Sequence, residues 1–398
     1  MKPSSRISKI EASKTLQVKE KALVLKSKGI DVIDLTAGEP DFNTPKSICQ
    51  AGIDAINQGF TKYTANTGIP VLREKIAEKL KTENGLQYSP NQIIISNGAK
   101  QAILNALLAL IEESDEVILP APYWVSYPEQ IKLAGGNPII VDTSETNFKM
   151  TASDFEAHIT PRTKMVILNS PSNPTGVVYE YAELKELAEI LANKEIWILT
   201  DEIYEKLIYD GLKHYSIASF GNLIEKSIVI NGFSKSYSMT GWRIGYAAGP
   251  MEVVKGMAKI QSHYTSNASS ISQKAALAAF DGLSEEVENM RKTFEDRRNF
   301  IKSALDSKPY FSYVYPQGAF YFFINVSAVY GCKDGDLLID NSVKFCTYVT
   351  ENYHVVTVPG AAFGNDEFIR ASFAASSEEL DKGMQKLTKA METMLAMK

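Results

Sequence analysis

Short apolar runs and amphipathic stretches alternate through the middle of the chain. The largely apolar runs have the length of strands buried on both faces, and they lie at 93–95, 116–119, 138–141, 165–168, 196–199 and 227–230. Helical spacing follows the first run at 101–113 and is clearest at 181–192, where Leu184, Leu187 and Leu191 share a face. This alternation predicts an α/β fold with a mostly parallel sheet and helices on both sides.

The pattern changes after about residue 282. A long charged helix is predicted at 285–305, then a strand at 319–326, a helix near 341–351 and a strand at 368–373. The last helix carries apolar residues at alternating spacings of four and three, which predicts packing in a core: Leu380, Met384, Leu387, Met391 and Met394. We therefore expect a large α/β domain over 46–295, a small α+β domain over 296–398, and an N-terminal segment, 1–45, that joins the small domain.

Length, charge and cysteine usage narrow the class of protein. The 398 residues are 44% hydrophobic, which favours two domains, and the net charge of -5 gives no support for a nucleic-acid or anionic-membrane partner. No apolar run reaches the roughly 18 residues of a membrane-spanning helix. The N-terminus has no secretion signal, so we expect a cytoplasmic protein. Three cysteines without a C-x-x-C pair and four scattered histidines predict neither a disulfide framework nor a metal site.

Unusual polar residues follow several of the predicted strands, where open α/β sheets bind ligands. The turn S-N-G-A-K at 96–100 lies between a strand and a helix, so its backbone N–H groups and the helix N-terminus are suited to an anion. Many tight turns have this composition for packing alone. In the stretch 121–124, Trp124 is suited to stacking on a flat ring, although a tryptophan is more often a core anchor.

Two further strand ends carry residues that are suited to binding a ligand. The loop 169–176 contains two prolines and a glycine, which fix its shape and present the Asn173 amide, although a plain turn needs the same residues. Asp201 ends a buried strand, where a carboxylate requires a partner. A protonated pyridine nitrogen, as in pyridoxal phosphate (PLP), is a suitable partner, and Tyr204 could bond the phenolic oxygen of that ring. A helix N-cap is the alternative role for Asp201.

The stretch 231–246 decides between these alternatives. Lys235 lies between small residues just after a strand, where a lysine can be held near the cofactor aldehyde to form an imine. Ser234 and Arg243 supply a hydroxyl and a guanidinium that suit a phosphate. A solvated lysine and a surface arginine would explain the residues singly, but not the sixteen-residue pattern.

These motifs together resemble the class I aminotransferases of PLP fold type I. The resemblance runs nearly end to end and is closest to the branch that includes bacterial aspartate/prephenate and plant plastidial prephenate aminotransferases. Besides the turn 96–100, the motifs are T-A-G-E-P-D-F at 36–42, K-Y-T at 62–64, A-P-Y-W at 121–124, N-P-T-G at 173–176, D-E-I-Y at 201–204, S-K-S-Y-S-M-T-G-W-R at 234–243 and F-I-R-A-S at 368–372.

The resemblance implies a role for each residue around PLP. Lys235 bonds to the cofactor aldehyde and later moves the proton between the substrate Cα and the cofactor. Asp201 pairs with the pyridine nitrogen, and Trp124 stacks on the ring. The ring oxygen is bound by Tyr204 and Asn173. The phosphate is bound by Gly98, Ala99, Ser234 and Arg243. Tyr63 is expected to reach the phosphate of a partner subunit, which makes the active unit a homodimer.

The resemblance also implies the substrate site. Arg370 binds the substrate α-carboxylate, with Gly38, Trp124 and Asn173 around it. Another branch of the family binds the distal carboxylate with an arginine of the partner subunit, but the corresponding stretch here, 262–267, has no arginine. We expect Lys100 to supply that positive charge and Thr15 to shape the pocket, a pair that resembles the one associated with prephenate use in the plant enzymes.

The predicted function is PLP-dependent transamination between aspartate or glutamate and a 2-oxo acid, 2-oxoglutarate or oxaloacetate. A bifunctional aspartate/prephenate aminotransferase, which forms arogenate, is the first alternative. A PLP lyase or cyclopropane-carboxylate synthase shares the fold and many of the motifs. A PLP-fold transcription regulator would need a DNA-binding extension, and the segment 1–35 is too short for one.

Overall fold

The computed structural model describes residues 4–8, 10 and 14–398, and for residues 5, 6 and 14–19 it describes the backbone alone. The strands are β1 (Ile33–Asp34), β2 (Ile93–Ser96), β3 (Glu116–Ala121), β4 (Asn137–Asp142), β5 (Thr163–Asn169), β6 (Trp197–Asp201), β7 (Ser227–Gly232), β8 (Gly245–Ala248), β9 (Ser312–Val314), β10 (Tyr321–Asn325), β11 (Lys333–Asp334), β12 (Leu337–Leu338), β13 (Val355–Val356), β14 (Val358–Pro359) and β15 (Phe368–Ser372). The α-helices are α1 (Ser5–Ser8), α2 (Lys14–Ser27), α3 (Lys46–Asn57), α4 (Pro70–Asn84), α5 (Ala99–Leu110), α6 (Tyr127–Leu133), α7 (Ala152–Ala157), α8 (Tyr181–Ala192), α9 (Met251–Tyr264), α10 (Ser270–Leu277), α11 (Ser284–Asp306), α12 (Ser342–Tyr353) and α13 (Ser377–Leu395).

Seven strands form the main sheet in the order β2-β8-β7-β6-β5-β3-β4. Its pairings are parallel except for those of β8, which runs antiparallel to both β2 and β7. The predicted mostly parallel sheet is therefore confirmed, and each of the six predicted strands is present with slightly different ends. Strand β8 was not expected from the sequence, because its residues, G-Y-A-A, include no β-branched side chain.

Both faces of the main sheet are covered, as its apolar strands require. In β2, Ile93 and Ile95 pack in one core with Leu72 and Ile76 of α4, whereas Ile94 packs in another with residues of α5. Successive strand residues point to opposite faces, so the two helices lie on opposite sides of the sheet. This two-sided burial explains why the strands are continuous apolar runs and lack an alternating pattern.

A second, antiparallel sheet has the order β14-β15-β10-β9. The five apolar residues of α13 pack in the core against this sheet, as their spacing predicts. The N-terminal part of the chain returns to this region, since β1 pairs in parallel with β13. The domain limits 1–45, 46–295 and 296–398 stay a prediction. Within the described residues, no helix is both long enough and apolar enough to cross a membrane.

The central parallel strands β5, β6 and β7 are neighbours in the main sheet. Their carboxyl ends therefore lie side by side at one edge, and each leads directly into one of the polar motifs. Asn169 closes β5, Asp201 closes β6, and Lys235 follows β7 by three residues. The fold thus brings together side chains that are far apart in the sequence.

Candidate active site

A cavity of about 460 Å³ lies at this edge of the main sheet. Its walls combine strand-end loops of the main sheet with residues of the antiparallel sheet, namely Tyr321, Val358 and Arg370. Most of the predicted site residues line it: Gly38, Ala99, Lys100, Trp124, Asn173, Asp201, Tyr204, Ser234, Lys235, Arg243 and Arg370.

Two predicted residues do not line this cavity. Gly98 has a φ of 81°, a conformation that favours glycine, and a Cβ atom there would lie 2.4 Å from the Arg243 guanidinium. Tyr63 is 89% exposed on the surface. Thr15 falls within α2, and its side chain lies outside the described residues. The roles given to Tyr63 and Thr15 therefore stay predictions.

Asp201 is a buried carboxylate that faces the cavity. Its Oδ2 accepts a hydrogen bond from the Tyr127 hydroxyl at 2.7 Å, and its Oδ1 accepts one from the Ile203 N–H at 3.2 Å. Burial raises the pKa of Asp201 to about 6, although both hydrogen bonds act in the opposite direction. Neither donor carries a positive charge, so the site favours a cationic ligand.

Lys235 faces the same cavity from the loop after β7, and its Nζ donates a hydrogen bond to the Gly38 carbonyl. Burial lowers the pKa of Lys235 to about 8. The Glu39 carboxylate opposes this shift, whereas the positive charges of Arg370 and Arg243 reinforce it. An amine with such a pKa is partly neutral near pH 7, which suits a nucleophile or a general base.

The turn before α5 and the loop 234–243 form the polar end of the cavity. Arg243 donates hydrogen bonds to the carbonyls of Thr240, at 2.9 Å, and Asn97, at 3.3 Å. Arg243 and Ser238 have left-handed backbones, φ 53° and 50°, which costs on the order of 1 kcal/mol each. The loop is therefore held in a defined shape, with the Arg243 guanidinium beside the N-terminus of α5, and this end is suited to an anion.

Arg370 is a buried residue of β15. Its Nη1 donates to Oδ1 of Asn173 at 3.0 Å and its Nη2 donates to the Thr36 carbonyl at 2.9 Å. Its guanidinium also lies 4.3 Å from the centre of the Tyr321 ring. The Nε atom is buried and has no hydrogen-bond partner among the described residues. A buried donor without a partner is unfavourable, so the site is completed by an acceptor such as a carboxylate.

Tyr204 and Trp124 both line the cavity. The Tyr204 hydroxyl lies 2.8 Å from the Tyr321 hydroxyl, and burial followed by the effect of Tyr321 holds the pKa of Tyr204 well above its usual range. The Trp124 ring packs edge-on against Tyr127, with 5.2 Å between the ring centres. The Lys100 ammonium lies 4.9 Å from the Trp124 ring centre, and partial burial together with the Arg243 charge lowers the pKa of Lys100.

Several residues line the cavity but were not predicted from the sequence as site residues, notably Tyr127, Tyr321 and Glu39. Tyr127 follows Trp124 by three residues at the start of α6, and this short spacing could have indicated it. Tyr321 lies in an aromatic strand whose pattern is that of ordinary core. Glu39 is part of the motif 36–42, and in the structure it accepts a hydrogen bond from the Thr240 hydroxyl of the loop 234–243, at 2.5 Å.

Comparisons with known proteins agree with this geometry. Residues 30–387 match the sequence model of the family described as aminotransferase class I and II. The chain is 48% identical to an aspartate aminotransferase of Geobacillus stearothermophilus, over 98% of this chain and 99% of that protein. It is 45% identical to a bifunctional aspartate aminotransferase and glutamate/aspartate-prephenate aminotransferase of Petunia hybrida, over 98% of this chain and 83% of that protein. The solved aspartate aminotransferase of Rhizobium meliloti superposes with a TM-score of 0.95 at 41% identity, over 98% and 99% of the two chains.

Proposed function

The chain belongs to the class I and II aminotransferases, and from this premise we propose that it is a PLP-dependent aspartate aminotransferase. It would move an amino group between aspartate or glutamate and a 2-oxo acid, 2-oxoglutarate or oxaloacetate. The observation that carries this proposal is the convergence of Lys235, Asp201, Arg243 and Arg370 on one cavity. The chemistry needs an amine, an anion for the ring nitrogen and two sites for anionic groups, and these four side chains supply them.

The residues of the cavity fit PLP. Asp201 is buried with neutral hydrogen-bond donors, so a protonated pyridine nitrogen would supply the missing positive charge. Ser234, Arg243 and the backbone at Ala99 would bind the phosphate. The ring oxygen would be bound by Asn173 and Tyr204, and Trp124 would cover the ring face. When bound, PLP supplies an electron sink for the pair of electrons left on the substrate Cα.

Lys235 is proposed to bind the cofactor and to transfer the proton at the substrate Cα. Its pKa of about 8 leaves part of the amine neutral at pH 7, so Nζ can accept a proton and return it. The hydrogen bond to the Gly38 carbonyl fixes the direction of Nζ. Because Gly38 also lines the cavity, the same contact would orient the lysine next to the substrate.

Arg370 is proposed to bind the substrate α-carboxylate. Asn173 and Thr36 hold its two terminal nitrogens, so the plane of the guanidinium is fixed before a ligand binds. The buried Nε without a partner matches a carboxylate oxygen. A preorganised arginine loses little conformational entropy on binding, which favours tight and directional recognition of the acid.

The distal carboxylate is proposed to be bound by Lys100. Its ammonium lies at an exposed edge of the same cavity, over the Trp124 ring. Lys100 and Thr15 are both present in this chain, which supports a second activity, the amination of prephenate to arogenate. The similarity to the Petunia hybrida enzyme supports the same second activity. Prephenate also carries a carboxylate beyond the reacting carbonyl, so one cation would serve both substrates.

A homodimer is part of the proposal, as is a cytoplasmic location. Tyr63 is 89% exposed, so its hydroxyl is free to reach the phosphate site of a second copy. The decisive experiment is a panel of amino donors against 2-oxoglutarate, oxaloacetate and prephenate with the purified holoenzyme. We expect aspartate and glutamate to be the best donors. Loss of an amino-acid side chain without any requirement for a 2-oxo acid would instead indicate a lyase.

A further inference from the structure

A second buried cluster of charged side chains lies behind Asp201. Glu202 follows Asp201 directly, and its backbone N–H continues the pairing with β7 by donating to the Ile230 carbonyl at 2.9 Å. The two carboxylates lie in different environments. Asp201 lines the cavity, whereas Glu202 is fully buried against His214 and Ser216. Neighbouring strand residues point to opposite faces, so any charge on Glu202 acts on Asp201 from behind.

Every oxygen of Glu202 has a hydrogen-bond partner. Oε1 accepts from the hydroxyls of Thr200, at 3.0 Å, and Ser216, at 2.5 Å. Oε2 lies 2.9 Å from Nε2 of His214, a nearly buried side chain with 10% exposure. A buried carboxylate is tolerated when it is paired, and the imidazolium of His214 is the one partner of Glu202 that can carry a positive charge within the described part of the chain.

The other charged groups of this cluster are already paired. Glu205 forms a close ion pair with Lys79 and accepts a hydrogen bond from Asn84 at 2.8 Å. The hydroxyls of Tyr88 and Tyr246 also face the cluster, and burial, followed by the nearby glutamates, raises the pKa of both tyrosines. Lys79 therefore balances Glu205, which leaves His214 to balance Glu202.

We propose that His214 is a positioning residue for Asp201. Its imidazolium neutralises Glu202 and so keeps Asp201 available as the anionic partner of the cofactor ring nitrogen. The proposal rests on the PLP function proposed above and adds a residue that does not touch the cofactor. It assigns a purpose to a buried histidine that no other part of the site uses.

The directions of the pKa shifts of His214 and Asp201 agree with this arrangement. Burial, and to a smaller extent the charge of Lys79, lower the pKa of His214, but the charge and hydrogen bond of Glu202, with Glu205 behind it, outweigh them and leave the pKa above its usual value. For Asp201, burial is the largest effect and raises the pKa; Tyr127 and Ile203 lower it, Glu202 raises it and Lys235 lowers it. Tyr204 and Tyr127 are the remaining titratable groups that face Asp201. Without the imidazolium, the negative charge of Glu202 would no longer be balanced and would raise the pKa of Asp201 further.

The test compares His214→Gln, Glu202→Gln and the double variant with the unmodified holoenzyme. In His214→Gln the carboxylate of Glu202 is unbalanced, so PLP binding below about pH 6 should weaken by up to roughly tenfold, the effect of raising the pKa of Asp201 by one unit. Binding should recover as the pH is raised, because Asp201 then regains its charge. The double variant should bind PLP almost as the unmodified protein does, since the unbalanced charge has been removed. His158→Gln is the matched control, because the Nδ1 of His158 bonds only within its own helix, to the Asp154 carbonyl.

Two further measurements separate this role from a structural one. The pH at which the absorption of bound PLP changes should differ between His214→Gln and the unmodified protein, and the double variant should restore the original value. A packing defect would instead lower the melting temperature and leave this pH unchanged. The chain has four histidines, so NMR of ¹³C-labelled histidine can follow the signal that His214→Gln removes. That signal should titrate at a higher pH in the unmodified protein than in Glu202→Gln. Unchanged PLP binding in His214→Gln, or a double variant as weak as the single one, would overturn the proposal. An inactive unmodified holoenzyme would instead contradict the proposed function.

Discussion

Arg370 donates a hydrogen bond from Nη1 to Oδ1 of Asn173 across 197 positions of sequence, with 3.0 Å between the two atoms. Asn173 is fixed in turn, because its N–H donates to Oδ1 of Asn169 at 2.9 Å. The Asn169 amide donates to the Asp201 carbonyl at 2.9 Å. One chain of hydrogen bonds therefore connects the proposed carboxylate site with the proposed partner of the ring nitrogen, so the two sites have a defined separation before any ligand binds.

Arg370→Lys is expected to be a poor replacement although the charge is kept. An ammonium cannot offer a planar two-point contact to a carboxylate. The activation free energy that corresponds to kcat/KM should therefore rise by about 2–3 kcal/mol, the scale of a hydrogen bond to a charged group. Steady-state kinetics with mono- and dicarboxylic substrates should show the same loss for all, since all carry the α-carboxylate. Arg162→Lys, which keeps a positive charge beside the buried Glu116 at a residue that does not line the cavity, is the control. A defect limited to dicarboxylates would move Arg370 to the side-chain pocket.

Lys235→Ala is expected to abolish turnover and leave the fold intact. No other amine is positioned by the loop after β7, so borohydride reduction of the unmodified holoenzyme followed by peptide mapping should find the pyridoxyl group on Lys235. The variant should show no such label and an unchanged circular dichroism spectrum. Lys274→Ala, which removes an ammonium packed over Phe60, should keep the label. Recovery of the label on a different lysine would refute the assignment.

Asp201→Asn is expected to bind PLP more weakly but to retain it at saturating cofactor through the other contacts, while turnover falls roughly 100-fold or more, the scale of removing a preorganised polar group from an active site. An amide does not stabilise the protonated pyridine nitrogen, so the ring becomes a poorer electron sink. Turnover and the absorption of the bound cofactor test this directly. If Asp201 were only a helix cap, the variant would melt at a lower temperature and keep its turnover.

Tyr127→Phe tests the pH dependence that follows from the hydrogen bond to Asp201. Burial raises the pKa of Asp201 to about 6, and the Tyr127 hydroxyl lowers it. Removing the hydroxyl therefore raises this pKa, so the charged form is lost at a higher pH and the acidic limb of the kcat profile should shift upward. Below about pH 6 the loss should be roughly tenfold or more, because a hydrogen bond to a charged group contributes about 1.5–3 kcal/mol. Well above that pH the variant should approach normal activity.

Tyr353→Phe is the matched control for this pH profile. Its hydroxyl bonds to Thr393 in the C-terminal part of the chain, at 2.8 Å, and does not line the cavity. Its acidic limb should coincide with that of the unmodified enzyme. A profile of Tyr127→Phe that is lower by the same factor at every pH would show that the hydroxyl serves packing and not the charge of Asp201.

The parallel strands could be predicted because burial on both faces leaves a continuous apolar run, as in β2, where all four residues are buried. The same physics locates Asp201, since a carboxylate at the end of such a strand needs a partner. Tyr321 and Phe363 could not be predicted in this way. They reach the cavity from the C-terminal sheet region, and their local patterns are those of ordinary core residues.

The ion pair of Glu202 and His214 is a second feature that could not be predicted from the sequence. Glu202 belongs to the motif D-E-I-Y at 201–204, but in the sequence alone only Asp201, at the end of the strand, indicates a ligand. The ion pair with His214 depends on how the segment after β6 folds back, twelve positions later. Periodicity carries no information about such a return of the chain. A pairing of this kind therefore follows only from the folded structure, which places the two side chains together.

Lys100→Ala tests the source of the charge for the distal carboxylate. Lys100 lies beside Trp124 at the cavity edge, and the nearby charge of Arg243 lowers its pKa. Loss of its ammonium should lower kcat/KM for aspartate, glutamate and prephenate roughly tenfold or more, since a charged hydrogen bond contributes about 1.5–3 kcal/mol. Residual activity with monocarboxylic amino acids should stay unchanged.

The control for Lys100→Ala is Lys132→Ala, which removes a lysine that pairs with Glu129 on α6 and does not line the cavity. Its kinetics should match those of the unmodified enzyme for every substrate. An equal loss for mono- and dicarboxylic substrates in Lys100→Ala would mean that this lysine serves the cofactor phosphate together with Arg243. The stretch 262–267 has no arginine that could take over, so the selectivity for dicarboxylates would then have no identified cation to support it.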